Sequence, residues 1–410
     1  MHLVFVTSEY IDSKNLQIID GGLANYLHNI TKALCKLGHN ISVVVANQNI
    51  NKMILCNGIS VFFLSYKSKI SFLQRLIYPF IPSRKRKIIK INLLYASISE
   101  CIQNLNKKQK IDFIQYASCL GLGRYPEKEI PSCVRISSYA KTYQKSYDTS
   151  NAEELRIEQE QYINTPYLFG PSKHIAEFIK EDLHLEKDIK IIESPYPQSI
   201  DNEDDFDDLI CNDLKLTIKS APYLLFFGSR GRLKGCGVIA DCIYDILAKY
   251  PHLYLVLIGK SILSKGIDYA ELIKHKAKEF SNRIIRYPSI PHTQLYPVIK
   301  NATGIIMPSL TENFSNACVE AMRLKKIVIG TEENFSQLLT DKVSGFLSKT
   351  GDGESLKGKI IELLSLSCEE KEQMEQRAFE RTQTLSPENI CNQLLDYYQY
   401  IIKHWEVKNG

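Results

Sequence analysis

Short apolar runs rich in Val, Ile, Leu and Phe alternate along this chain with helical patterns. In the first half, the apolar runs predict strands at about 2–7, 41–46, 59–64, 111–116, 133–137 and 188–192. The segments between them predict helices near 22–37, 84–107, 151–163 and 172–182, the last capped by Ser172. This order is typical of a parallel sheet covered by helices on both faces.

The same alternation repeats in the second half. Its apolar runs predict strands at 223–228, 253–258, 283–286, 303–307 and 326–330. Helical patterns lie near 235–249, 267–280, 292–300 and 316–324, and three more close the chain at about 354–365, 367–383 and 387–404. Each half therefore predicts one Rossmann-like unit, and the fold class is α/β.

An acidic segment separates the two halves. Residues 201–208 read Asp-Asn-Glu-Asp-Asp-Phe-Asp-Asp and contain a single apolar side chain. A run of like charges in this setting is typical of a solvated linker. We therefore expect an N-terminal domain at 1–197, a linker at 198–220, a C-terminal domain at 221–385 and a final helix within 386–410.

Size and composition agree with a two-domain protein. A chain of 410 residues with 44% hydrophobic content exceeds the length at which a single core stops growing. The net charge of +5 is too small for this length to indicate nucleic-acid binding. We therefore expect no nucleic-acid partner.

The sequence also predicts a cytoplasmic protein. No apolar run reaches the roughly 18 residues that a membrane-spanning helix needs, and the first residues resemble a strand without a basic leader. The eleven cysteines include no C-x-x-C pair, which favours buried thiols in a reducing compartment. Neither a disulfide framework nor a zinc site is expected.

Two carboxylates flank a predicted helix start near the end of the second half. Glu312 and Glu320 stand on either side of Ser315 and Asn316, where a helix begins after the apolar run 304–307. A helix N-terminus carries about half a positive charge and suits a phosphate. Carboxylates beside it can accept hydrogen bonds from sugar hydroxyls, so this arrangement fits a nucleotide-sugar.

This segment resembles the E-x7-E signature of the retaining glycosyltransferases of family 4, which have the GT-B architecture. The strand at 326–331, the glycine turn at 343–347 and the glycine loop at Gly21 and Gly22 are also similar. The resemblance is strong over about 221–350 and looser before it. It implies two Rossmann-like domains facing across a cleft, with a C-terminal helix that returns to the N-terminal domain.

The resemblance also implies roles for the signature residues. Glu312 would contact the sugar, and Glu320 would bind the ribose hydroxyls. Backbone amides of Asn313, Phe314 and Ser315 would serve the diphosphate and the hexose. Retention in this family is usually pictured as front-face displacement, in which the leaving phosphate helps to deprotonate the acceptor, so no protein base is expected.

A basic loop is expected to neutralise the leaving diphosphate without a metal. The family uses a G-R-x-x-x-x-K-G loop, and Gly228 and Lys234 stand at that spacing here. Ser229 holds the usual arginine position. Arg230 or Arg232 could replace that arginine, or Ser229 could donate its hydroxyl while Lys234 carries the charge alone. The alternative is an ordinary basic surface turn.

In the N-terminal domain, Gly21 and Gly22 follow strand 2–7 and open helix 22–37. Paired glycines allow a backbone to approach a ligand closely, and the family places this loop near the donor phosphates and the acceptor. A plain helix-start turn is the alternative. Many members also carry a sugar-contacting histidine in this domain, where this chain offers Ser138 or Tyr139 instead.

The sequence gives less information about binding of the nucleotide base and of a metal. The family often places the loop after the third strand of its second domain against the base, which here means Ser289 and Ile290. Their backbone could serve uracil or guanine. The sequence Asp205-Phe206-Asp207 spells D-x-D, but it lies in the acidic linker and not after an apolar strand, so no metal site is expected.

A membrane contact is suggested by the start of helix 84–107. An aromatic, proline-broken apolar stretch at 76–83 precedes Arg84, Lys85, Arg86 and Lys87. Each cation near an anionic leaflet contributes about 1 kcal/mol. The alternative is a charged first helical turn beside a packed loop. A lipid-linked acceptor would explain the patch.

The sequence thus predicts a retaining, metal-independent hexosyltransferase with no cofactor beyond its nucleotide-sugar co-substrate. We expect a UDP- or GDP-sugar donor and a glycan or lipid-linked glycan acceptor, in bacterial cell-surface polysaccharide biosynthesis. Two alternatives are a catalytically silent GT-B partner or scaffold and a nucleotide-sugar epimerase. An epimerase would need acid and base side chains at the sugar, for which the sequence offers no candidates.

Overall fold

The computed structural model describes residues 1–17, 21–46, 48, 50–65, 82–144, 152–197, 200 and 221–409. The linker predicted at 198–220 lies outside the described residues apart from Ile200, and so does its Asp205-Phe206-Asp207 sequence. The apolar stretch at 76–81 and the side chains of Arg84, Lys85 and Lys87 also lie outside them.

The chain divides into two compact units. Unit 1 contains 1–140, 151–195 and 387–410, and unit 2 contains 141–150 and 196–386. The C-terminal helix therefore belongs to the same unit as the N-terminal strands. Within the described residues, no helix is both long enough and apolar enough to cross a membrane.

Unit 1 is built on an eight-stranded sheet. In chain order, its strands are β1 (His2–Thr7), β2 (Asn40–Val45), β3 (Lys52–Cys56), β4 (Ile59–Phe63), β5 (Phe113–Ala117), β6 (Ser132–Arg135), β7 (Leu168–Gly170) and β8 (Ile189–Ile191). The strand order is β3-β4-β2-β1-β5-β6-β7-β8, and all neighbours are parallel except β3 and β4. Chain order reverses between β1 and β5.

The sequence pattern missed β3. This edge strand forms a hairpin with β4 through Asn57 and Gly58, which both have positive φ angles (52° and 81°). Such two-residue turns match the twist of the flanking strands. Most of β3 is exposed, including Met53 and Leu55, although its last four residues form a short apolar run.

The helices of unit 1 are α1 (Gly22–Lys36), α2 (Ser83–Lys108), α3 (Ala140–Gln144), α4 (Ala152–Asn164), α5 (Lys173–Leu183) and α13 (Pro387–Asn409), numbered in chain order. α3 continues into unit 2. The predicted N-cap of α5 is confirmed, because Ser172 Oγ accepts a hydrogen bond from the Ile175 amide.

The C-terminal helix α13 is held to unit 1 by aromatic and polar contacts. The rings of Tyr398 and Phe113 stack with centroids 4.2 Å apart. The buried Tyr398 hydroxyl donates to Gln115 Oε1 at 2.6 Å, and Cys391 Sγ lies 3.7 Å from Ile30 O in α1. α13 therefore contributes to the core of the unit that begins the chain.

Unit 2 is built on a six-stranded parallel sheet. Its strands are β9 (Tyr223–Phe227), β10 (Tyr254–Ile258), β11 (Ile284–Tyr287), β12 (Gly304–Ile306), β13 (Val328–Thr331) and β14 (Phe346–Ser348). The order is β11-β10-β9-β12-β13-β14, so chain order reverses between β9 and β12. Ligands of such sheets bind outside the carboxyl ends of the strands at this reversal.

The helices of unit 2 are α6 (Cys236–Lys249), α7 (Tyr269–Lys276), α8 (His292–Lys300), α9 (Asn316–Arg323), α10 (Glu332–Phe335), α11 (Gly353–Ser365) and α12 (Cys368–Gln383). The alternation predicted for this half is confirmed. β14 and α10 were missed because segments of three and four residues show no period.

Replacing Tyr398 by Phe should destabilise the protein. The change removes the hydroxyl that donates to the buried Gln115 oxygen, which costs about 1–3 kcal/mol. Chemical denaturation followed by circular dichroism measures this loss. Tyr400→Phe, at an exposed position of the same helix, is the control. Equal stability of both variants would show that the hydrogen bond contributes nothing.

Candidate functional site

Two loops of unit 2 meet at the reversal point of its sheet. One follows β9 and the other follows β12, and the Leu310 amide donates to Leu233 O at 2.8 Å. Gly235 has φ 74°, and a methyl group there would lie 1.8 Å from Pro308 O. Only glycine therefore permits this contact between the two loops.

The contact brings Lys234 against Glu312. The ammonium of Lys234 and the carboxylate of Glu312 form an ion pair, with side chains 35% and 12% exposed. These are the residues that the sequence assigned to the diphosphate and to the sugar. The sequence did not predict that they touch, since 78 positions separate them.

A polar brace fixes the loop that carries Glu312. The Glu312 amide donates to Asn334 Oδ1 at 2.9 Å, and Asn334 Nδ2 donates to Ser309 O at 3.0 Å. Thr331, at the end of β13, donates its hydroxyl to the same Ser309 oxygen at 3.0 Å. The sequence analysis missed Asn334. It could have been recognised as a side-chain amide that closely follows the strand next to β12, namely β13.

Glu320 lies in the second turn of α9, and Ser315 caps that helix. Ser315 Oγ accepts from the Cys318 amide at 3.2 Å, which confirms the predicted helix start. The carboxyl of Glu320 is buried, and this burial raises its pKa to about 8. Asn313 and Phe314 are half-buried in the loop between Glu312 and the cap.

The loop predicted to lie near the base leads toward Glu320. Ser289 is exposed and Ile290 is half-buried, and both follow β11. His292, the first residue of α8, places its Nδ1 3.7 Å from Glu320 Oε2. The base loop and the carboxyl predicted to bind ribose therefore come together, through a histidine to which the sequence assigned no role.

The arginines of the first loop differ in their surroundings. Arg230 is buried, and its Nη1 donates to Tyr287 O at 2.8 Å and to Leu257 O at 3.4 Å. Burial lowers the pKa of this guanidinium. Arg230 thus joins the ends of β10 and β11, while Arg232 is exposed and Ser229 half-buried.

Glycines bring the ends of β9 and β10 together. Gly228 has φ 126° and directly follows β9. Gly259 follows β10 with φ 137°, and a methyl group there would lie 1.9 Å from Gly228 O. The backbone at Gly228 is therefore fixed where the basic loop begins.

The glycine pair of unit 1 lies at the start of α1. Gly21 immediately precedes the helix and Gly22 is its first residue. A methyl group at Gly21 would lie 2.9 Å from Glu9 Oε2. Glu9 follows β1, and partial burial raises the pKa of its carboxyl. The reversal point of unit 1 thus carries a carboxyl group that the sequence analysis did not consider.

Ser138 and Tyr139 differ in accessibility. Tyr139 is fully buried, and its hydroxyl donates to Asp182 Oδ2 at 2.5 Å and accepts from Gln159. Ser138 is half-buried, and its carbonyl accepts from Tyr162. Tyr139 is therefore a core residue, which leaves Ser138 as the candidate from this pair.

The second half of the chain matches a known protein family. Residues 214–381 match the model described as Glycosyl transferases group 1. Unit 2 carries a glycosyl transferases group 1 domain. No curated protein matches the chain significantly.

Several solved structures resemble this chain over nearly its whole length. Sucrose-phosphate synthase from Thermosynechococcus elongatus matches with a TM-score of 0.72 at 18% identity, covering 98% of this chain and 100% of that one. A glycosyltransferase from Rickettsia africae ESF-5 matches with a TM-score of 0.64 at 15% identity, covering 98% of each chain. HepE from Anabaena, solved with UDP and glucose, matches with a TM-score of 0.69 at 14% identity, covering 97% of this chain and 99% of that one. These likenesses confirm the GT-B fold.

Glu320→Gln should stabilise the protein increasingly as pH rises. The buried carboxyl has a pKa of about 8 in the native state against 4.5 ordinarily, so between these values it keeps a proton that the unfolded chain has lost. Wild-type stability therefore falls with rising pH across this window. Glutamine removes that fall, so its gain in unfolding free energy should grow from pH 5 to pH 8 and then level off.

Urea denaturation at several pH values measures this gain. The exposed Glu333 is the matched control, because Glu333→Gln removes a carboxyl of the same unit without changing a buried one. A gain for Glu320→Gln that does not vary with pH would contradict the raised pKa.

Proposed function

We propose that this protein is a glycosyltransferase, specifically a retaining, metal-independent hexosyltransferase that uses a UDP- or GDP-sugar. The observation that carries the proposal is the Lys234–Glu312 pair at the reversal point of the unit 2 sheet. There a cation and a hydroxyl-binding carboxylate stand beside the capped N-terminus of α9. A sugar diphosphate carries the groups that these three features bind.

In the proposed reaction, the bond between the sugar C1 and the β-phosphate oxygen breaks, and its electron pair stays on the phosphate. Lys234 stabilises the charge that develops there, together with backbone amides of Asn313, Phe314 and Ser315. An acceptor hydroxyl bonds to C1 on the same face, and its proton passes to the leaving phosphate. No protein base is required, and the configuration at C1 is retained.

The remaining residues orient the donor. Glu312 accepts hydrogen bonds from the sugar hydroxyls, and its loop is fixed by Asn334. Glu320 binds the ribose hydroxyls, and the backbone at Ser289 and Ile290 lies along the base. HepE was solved with UDP and glucose, and the Escherichia coli trehalose-6-phosphate structure with UDP-2-fluoro glucose, which supports a nucleotide-sugar.

Metal independence rests on the charge of Lys234. The leaving diphosphate needs a positive group close to its oxygens, and an ammonium supplies this without a divalent ion. Arg230 contributes indirectly by bracing the loop, because its guanidinium is engaged by backbone carbonyls.

The proposed acceptor is a glycan or a lipid-linked glycan in the assembly of a bacterial cell-surface polysaccharide, with the protein in the cytoplasm. The cations at 84–87 lie in the first turns of α2. Their clustering supports peripheral binding to an anionic membrane surface, where a lipid-linked acceptor would be found.

Incubation with UDP- and GDP-hexoses, followed by NMR, tests the proposed reaction. We expect release of nucleoside diphosphate from one donor without added metal, and a first product with the donor's anomeric configuration. Release with inversion would contradict the mechanism. No binding or turnover with any donor would instead favour a catalytically silent scaffold.

In the same assay, Lys234→Ala should lower turnover by about 10²-fold or more, since one transition-state charge contact is lost. Lys276→Ala, which removes an exposed lysine of α7, should retain the wild-type rate. An undiminished rate for Lys234→Ala would remove this residue from the site.

Membrane binding is tested by sedimentation with anionic liposomes. A variant combining Arg84→Ser, Lys85→Ser, Arg86→Ser and Lys87→Ser should sediment less than wild type at low salt, because the attraction to the surface is lost. Neutral liposomes are the control. Equal sedimentation of both proteins would contradict membrane attachment through this segment.

A further inference from the structure

A groove of about 790 Å³ lies in unit 1, and none of its lining residues is among those assigned to the donor. Helix α2 forms one wall, and the segment 125–130 forms the other. Its volume is within the range of small-molecule sites. The main lining side chains are Asn92, Tyr95, Ser99, Gln103, Asn106 and Tyr125.

Between residues 92 and 106 the face of α2 in this groove is polar and uncharged, and Lys107 follows at its end. Its lining positions from 92 to 106 are 92, 95, 96, 99, 103 and 106, a spacing that places them on one face of the helix. They carry amides, hydroxyls and one methyl group. Leu94, Ile98 and Ile102 contribute to the core instead. Exposed helix faces usually carry charges, so this composition indicates an uncharged polar ligand.

Two aromatic rings contribute to the groove. Tyr95 and Tyr125 meet edge to face, with centroids 5.3 Å apart and an interplanar angle of 79°. Tyr95 is fixed because its hydroxyl donates to Leu120 O at 3.1 Å. The Tyr125 side chain is 59% exposed, so much of its apolar surface is accessible. Arg124 lies 5.0 Å from this ring and supports it.

The second wall is anchored to unit 1. Trp405 of α13 donates its indole N–H to Lys128 O at 3.1 Å, and the Ile130 amide donates to Glu127 O at 3.3 Å. A wall fixed in this way loses little conformational entropy when a ligand binds. The charged side chains that line the groove balance, with two lysines and two glutamates, namely Lys107, Lys128, Glu127 and Glu129.

We propose that this groove binds a segment of a neutral oligosaccharide. Sugar rings present apolar C–H patches that suit a tyrosine ring, and hydroxyls that suit amide side chains. Nucleic acids and acidic glycans require an excess of positive charge, which the balanced lining does not provide. The inference rests on the proposed function in one respect, because the bound segment would belong to the glycan acceptor.

Affinity electrophoresis of the full chain tests the groove. Native gels contain dextran, mannan, galactan or a mixed-linkage β-glucan as neutral probes, and polygalacturonate as the acidic probe. We expect at least one neutral polymer to retard the wild type and polygalacturonate not to. Tyr125→Ala should weaken retardation about tenfold, as expected for the loss of one aromatic anchor.

Two further variants separate binding from folding. Tyr400→Ala removes a tyrosine of similar exposure (53%) from unit 1 outside the groove and should migrate as wild type. Gln103→Ala should weaken retardation without loss of an aromatic ring. Thermal unfolding of every variant shows whether it is folded.

The proposal is overturned if no neutral polymer retards the wild type, if only the acidic polymer does, or if Tyr125→Ala is retarded equally. NMR assays of donor turnover on the same samples distinguish the two proposals. If the protein turns over a donor but no neutral polymer retards it, only the proposal for the groove is overturned. If a neutral polymer retards the protein but no donor is turned over, only the proposed function is overturned.

Discussion

The candidate site depends on the close contact between the loops after β9 and β12. These strands are neighbours where chain order reverses, so helices α6 and α9 diverge from this point. The contact is possible because Gly235 has no side chain to collide with Pro308 O. It brings Lys234 to Glu312, and the brace through Asn334 fixes the carboxylate's loop. Backbone geometry thus places two opposite charges that are distant in sequence.

The ionisable side chains of this site are not expected to stabilise the fold. A partly buried ion pair loses hydration that its attraction only partly restores, and apolar replacements of such pairs are often neutral or stabilising. The Glu320 carboxyl is costlier still, because its burial disfavours the charged form. A carboxyl whose pKa is raised by burial, at the ligand-binding edge of a sheet, is typical of a functional site. Glu320 therefore supports the proposed donor site beside the Lys234–Glu312 pair.

Sequence periodicity predicted most of the fold because buried parallel strands are continuous apolar runs. It failed for β3, which is exposed at an edge, and for α3, β14 and α10, which are too short to show a period. The site was predicted in part, since Glu312 and Lys234 belong to local motifs. Their pairing depends on strand order, which local sequence does not encode. His292 and Asn334 were missed for the same reason, because their partners lie 28 and 22 positions away.

The two sheets share a topology at their reversal points but differ there in charge. In unit 2 the loop after β9 supplies Lys234, whose positive charge suits a diphosphate. In unit 1 the loop after β1 supplies Glu9, close to Gly21 at the start of α1. A carboxyl at this position can accept hydrogen bonds from hydroxyl groups. It therefore suits the hydroxyls of the proposed acceptor, as do the amide and hydroxyl side chains of the groove beside α2.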